Sequence, residues 1–244
     1  MSLLLALLVG GMQPPVPPAA ALLRPADPDS LAVACAPLVE AAHDAPAVAA
    51  DAWAAIAMHN GVVRWDPARG PVRLWVQPRR PGTVRSGAFP GEWRRAVIDG
   101  AQAWRGVVPG LAFRTVRDSA AADVIVTWQA TLPPLRDTPA RLASLTAGRT
   151  VVRPARDGRA LTAHVRLALE SAPGEPYGVV ETRAVARHEL GHVLGLAHHA
   201  SATSVMAAVI RVDRLEAGDR AALRLLYALP IGARCPASMA FVAR

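Results

Sequence analysis

Residues 188–198 read His188-Glu189-Leu190-Gly191-His192-Val193-Leu194-Gly195-Leu196-Ala197-His198. A helix is expected from about Val179 to Leu194, and residues four apart on a helix project from one face at neighbouring heights. His188 and His192 can therefore reach one Zn²⁺ together, at the ~2.0–2.1 Å that zinc–imidazole bonds require. Glu189 is one step round the axis. It is off the ligand face, yet close enough to take a proton from a water that the metal activates. A helix continuing past Leu194 would carry His198 away. Gly195 in the left-handed conformation ends the helix instead and lets His198 return as the third ligand. Three neutral imidazoles leave a coordination position open, which is the arrangement of a catalytic zinc site.

The pattern HExxHxxGxxH resembles that of the metzincin metallopeptidases, whose zinc is held by three histidines. Ser204-Val205-Met206 follows His198 at a distance similar to the Met-containing turn of the matrixin branch. The resemblance implies that Met206 forms an apolar floor under the histidines without touching the metal. Leu215-Glu216-Ala217-Gly218-Asp219, followed by Leu223, Leu226 and Tyr227, looks like the closing matrixin helix. The spacing from Gly195 selects His198 over His199 as the ligand. Ala208 stands where astacins and serralysins carry a tyrosine, which favours the matrixin branch. Matrixins usually follow the Met with Tyr-Pro, and this chain has Ala207-Ala208. Animal matrixins hold a structural zinc and calcium in a His- and Asp-rich loop. The corresponding Ala163-His164-Val165-Arg166-Leu167 offers one histidine, so one catalytic Zn²⁺ is expected, without a structural zinc or calcium. His164 reads as an ordinary strand residue.

Outward from this centre, Val72, Leu74 and Val76 alternate with Arg73, Trp75 and Gln77 as a half-buried strand. A helix is expected from Glu92 to Arg105, with Trp93, Val97 and Trp104 on one face. Further strands are expected over Leu111–Val116, Asp123–Trp128, Thr150–Val152 and Ala160–Leu169, and a last helix from about Gly218 to Leu229. The fold class is α+β and zincin-like: a twisted, mixed five-stranded sheet packed on long helices, with the zinc cleft at the active-site helix. Residues 62–230 form the catalytic domain and 231–244 a C-terminal tail. The resemblance implies an extended peptide substrate lying antiparallel to an edge strand, for which Leu145–Val152 is the candidate.

Residues 1–25 combine an apolar run, Leu3–Gly11, with Pro14-Pro15-Val16-Pro17-Pro18. This reads as a signal peptide and Pro-rich segment, although the first basic residue is Arg24. The run is far shorter than the ~20 residues of a membrane span. Secretion or a periplasmic location is expected. Residues 26–61 are an Ala-rich helical extension and candidate propeptide: Asp29-Ser30 can start a helix, Trp53, Ile56 and Ala57 can form an apolar stripe, and Asn60-Gly61 ends the segment. Cys35 precedes the catalytic region, as a zymogen thiol would, but Ala34, Ala36 and Pro37 lack the Arg and Gly of that motif. The alternatives are a disulfide to Cys235, the only other cysteine, or two free thiols.

In a chain of 244 residues, 52% hydrophobic and 19% charged, disorder throughout is excluded. The net charge of +8 comes from arginine alone, as there is no lysine, and the arginines are scattered. That weighs against a nucleic-acid face. The reading is a monomeric zinc endopeptidase acting on proteins or peptides, with Glu189 as general base. Its alternative is a non-catalytic zinc-binding module using the same cleft.

Overall fold

The computed structural model describes residues 7–10, 28–78, 90–133, 146–171 and 174–235. Two N-terminal helices, α1 (Pro28–Asp44) and α2 (Pro46–His59), are followed by strand β2 (Val72–Val76), helix α3 (Pro90–Gln102) and strands β3 (Phe113–Thr115) and β4 (Val124–Gln129). Strands β5 (Thr146–Pro154) and β6 (Ala160–Ala168) lead into α4 (Val179–Val193), β7 (Val209–Ile210) and α5 (Ala217–Ala228). A short strand β1 (Leu7–Gly10) precedes them all.

The body of the sheet is the expected five strands, in the order β3-β2-β4-β6-β5. β3, β2, β4 and β6 run parallel, and β5 returns antiparallel beside β6. The alternation read in β2 is realised, with Val72, Leu74 and Val76 buried and Arg73 exposed. Helices α3 and α4 pack on each other, and α4 also lies on β5 and β6. This fixes α4 against β5.

Two further strands extend that edge. β1 pairs parallel with β5, Leu8 opposite Thr146 and Gly10 opposite Arg149, and antiparallel with β7. Part of the apolar N-terminal run thus supplies backbone partners to β5. The rest of residues 1–25 lies outside the described residues, as do Leu145 and residues 236–244 of the tail.

Two expectations need correction. Helix α3 ends at Gln102, so Trp104 is not on its face. The Ala103 amide still bonds to Asp99, but the Trp104 and Arg105 amides bond to Ala101 and Gln102, three residues back. The tightened turn buries the Trp104 ring, whose Nε1 donates to the Arg187 carbonyl of α4 at 3.0 Å. On α2 the buried stripe is Ala49, Ala52, Ala55 and Ile56, while Trp53 is half-buried and Ala57 exposed. The small alanines let α2 approach α1 and α5 closely, and the indole rides at the margin.

Cys35 and Cys235 form a disulfide with a Cα–Cα distance of 5.7 Å. It ties α1 to the segment after α5, and Trp53 Nε1 on α2 donates to the Cys235 carbonyl at 3.2 Å. Among the described residues no helix is long and apolar enough to cross a membrane.

Candidate metal centre

Helix α4 starts where the Gly178 amide donates to the Glu181 carboxylate, which satisfies one of the unpaired donors of the first turn. Its last two turns carry His188, Glu189 and His192, all buried. At its end the Gly195 amide bonds to the His192 carbonyl and the Leu196 amide to that of Gly191. Gly195 has φ +104°, and a Cβ there would collide with the Val63 carbonyl oxygen. The chain reverses, and His198 comes back to the helix. Trp65 Nε1 donates to the Val193 carbonyl at 2.8 Å, covering another acceptor at the helix end.

His188, His192 and His198 each offer a ring nitrogen, and these nitrogens lie within 4.8 Å of one another. His188 Nδ1 donates to the Val205 carbonyl and His192 Nδ1 to that of Leu196, both at 2.7 Å. Those bonds place the proton on Nδ1 of each ring and leave a lone pair on each Nε2. The two Nε2 atoms face each other at 2.9 Å, a repulsive contact that a cation between them relieves. His198 Nε2 is buried without a hydrogen-bond partner among the described residues. Burial, with the neighbouring imidazoles adding to it, holds His188 well below the usual histidine range and His192 at about 3. His198 is lowered by burial and by His199. Three neutral nitrogens with orphaned lone pairs are the donor set that zinc takes, so the residues fit the ion.

Glu189 is fully buried, and burial pushes its carboxyl up to about 8, opposed by the Thr150 hydroxyl and by Arg149. Thr150 Oγ1 donates to Oε2, while Oε1 has no partner among the described residues. Gly148 makes the room: a Cβ there would strike the carboxylate. Strand β5 therefore seats the glutamate with one residue that is absent in bulk and one that donates.

Met206 is completely buried and lies under the helix against Gly191, where a Cβ would collide with its Sδ. The turn that presents it is held by Asp219 of α5. That carboxylate accepts from Ser204 Oγ, from the Val205 amide at 3.2 Å and from the Glu216 amide at 2.8 Å. Burial raises the Asp219 carboxyl, but these bonds and His199 outweigh it and hold the group low. His199 points away from the cluster toward Asp219 and Ser204. His164 lies exposed on β6, between Ile125 and Val151.

The sequence reading missed Thr150, Gly148 and the hydrogen-bonding of Asp219. Nothing local marks the first two. Asp219 three residues after Glu216 at a helix start was a legible capping signal, though not one that pointed at the Met206 turn.

Residues 151–228 match the family model for Matrixin. That stretch contains α4, the three histidines, Glu189, Met206 and Asp219, so the match and the metal-ligand cluster fall on the same residues. It is matrixin-like and supports zinc metallopeptidase activity. A search of curated proteins finds no match to the chain.

Proposed function

We propose that the protein is an endopeptidase that hydrolyses peptide bonds in proteins with one zinc ion held by His188, His192 and His198. The observation that carries this reading is the buried Glu189 carboxylate beside a cluster of three neutral imidazoles. A zinc ion held there would supply Lewis acidity, enough to bring the pKa of a water to about 7. Glu189 acts as general base and then returns the proton to the leaving amine. Thr150 occupies Oε2, so Oε1 is the atom that takes the proton. Burial holds the metal-free carboxyl up at about 8, and a dication beside it would lower that value, so that near neutral pH the group would be ionised and able to accept the proton.

Substrate is read as an added strand antiparallel to β5. Leu7–Gly10 lies along Thr146–Arg149 in the parallel sense, so removal of the leader on export would open that edge. An extracytoplasmic location fits the Cys35–Cys235 disulfide, since such bonds persist in oxidising compartments.

The test is zinc content together with cleavage of unstructured casein, with and without chelator, on wild type and Glu189→Gln. One zinc per chain in both proteins is expected, with cleavage reduced roughly 10²- to 10⁴-fold in the variant. One zinc with no cleavage in either protein would favour the non-catalytic zinc-binding module. No zinc would refute the site.

A further inference from the structure

His188 and His192 are each held twice, by the helix ladder and by a ring-to-carbonyl hydrogen bond. His198 has neither. It follows the end of α4, in irregular backbone, and its Nε2 has no partner among the described residues. Whatever aims this imidazole acts through the residues beside it.

Those residues are gripped from three directions. The His199 amide bonds to the Met206 carbonyl at 2.9 Å. Its ring is buried, with Nδ1 at 3.0 Å from Ser204 Oγ, 3.3 Å from Asp219 Oδ1 and 3.5 Å from Asp51 Oδ2. The Ala200 amide also faces the Asp51 carboxylate, and with His199 it opposes the burial that raises that carboxyl. Ser204 and Asp219 lie within the matrixin-like stretch. Asp51 does not: it comes from α2, in the Ala-rich extension. The Asp51 side chain is only 15% exposed, and a carboxylate so placed is costly unless it is partnered. Its nearest partner is the His199 ring, on the residue that directly follows the third metal ligand.

We infer that Asp51 is a positioning residue for His198, and that α1 and α2 are a retained part of the catalytic unit instead of a segment removed on activation. The inference rests on the zinc peptidase reading above. Asp51 and Asp219 close on the His199 ring from α2 and α5, which pack on each other. The ring of His199 is thereby held, along with its amide on the Met206 carbonyl, and His198 is constrained beside it. The same extension is secured independently by the Cys35–Cys235 disulfide and by Trp53 on the Cys235 carbonyl. Cleavage of the chain between α2 and β2 would leave it covalently attached.

The test compares wild type, Asp51→Ala, Asp51→Asn and Trp53→Phe in the full chain, reading zinc affinity by chelator competition and the thermal midpoint of the metal-free protein. Asp51→Ala should weaken zinc about tenfold, the lower end of what outer partners of metal ligands contribute. Asp51→Asn keeps the shape and an acceptor oxygen toward His199 but loses the charge, and should weaken zinc roughly threefold on the same principle. Trp53→Phe loosens α2 elsewhere and should lower the midpoint while zinc affinity stays at the wild-type value. If Asp51→Ala does not fold, Asp51→Asn decides. Unchanged zinc affinity in the folded Asp51 variants would overturn the inference. So would a loss in Trp53→Phe equal to theirs, since the effect would then be general loosening. Wild type that binds no zinc would show, before any variant, that the site itself had been misread.

Discussion

Helices α2 and α4 end in the same backbone motif. In α2 the Asn60 amide bonds to the Ala57 carbonyl and the Gly61 amide to Ile56; in α4 Gly195 bonds to His192 and Leu196 to Gly191. The residue in the left-handed region is Asn60 at φ +54° in one helix and Gly195 at φ +104° in the other. Asn60 is exposed. At Gly195 the Val63 carbonyl lies where a Cβ would be, with Leu226 Cδ2 at 3.1 Å. One motif is a soft stop on a packing helix, and the other is a crowded reversal that brings His198 back to His188 and His192. What separates them is the tertiary neighbourhood: Val63, three residues past Asn60, is what crowds Gly195.

The two regions should also answer perturbation differently. The widest difference is expected from pH in the metal-free protein. His188, His192 and His198 are held below their usual 6.5 in the fold, so the unfolded chain binds more protons and stability rises as pH climbs toward 6.5. Burial lowers His59 at the end of α2 to about 4, and it acts in the same sense. Glu189 is raised from 4.5 to about 8, so the folded chain holds the extra proton and stability falls between those values. The histidines outnumber the glutamate below 6.5, and above it Glu189 acts against them alone. Thermal midpoints in chelator should therefore peak near pH 6.5, and a midpoint still climbing from pH 6.5 to 8 would contradict the raised carboxyl.

Next in size is the anchor of the N-terminal helices. Cys35 and Cys235 are separated by 200 residues, and closing a loop that long stabilises by about 5 kcal/mol in the chain-entropy model. Reduction, or the Cys35→Ser/Cys235→Ser pair, should lower the thermal midpoint by roughly 10–20 °C, with turnover at 25 °C per folded molecule little changed. A midpoint insensitive to reductant would mean that the extension adds no constraint.

The smallest effects bear most directly on the two helix ends. Gly195→Ala places a Cβ in a left-handed, occupied position and should cost about 1–3 kcal/mol in denaturant unfolding, with weaker zinc binding because His198 is displaced. Asn60→Gly should shift stability by no more than about 0.5 kcal/mol, since both residues are accepted there. Equal effects at the two positions would erase the distinction.

Much of the site was legible because its geometry is local. The four-residue spacing of His188 and His192 sets them on one face of any helix, and Gly195 then permits one direction of return. Alternation in Val72–Val76 and the helical spacing of Val179–Val193 follow from backbone period in the same way. Trp104 was misplaced because tightening of the last turn of α3 is decided by what its indole reaches on α4. The stripe on α2 was misread because alanine gives almost no contrast between buried and exposed faces.

The sequence by itself therefore determined which three imidazoles come together, which glutamate stands beside them and where the helix must stop, all within eleven consecutive residues. Only the tertiary structure decided what holds those groups. Thr150 and Gly148 seat Glu189 from β5, Asp219 secures the Met206 turn from α5, Asp51 reaches residues 199–200 from α2, and Leu7–Gly10 lies along the edge of β5. Each of these partners is brought in by packing between distant segments, and no periodicity in the chain records which loop will close on which.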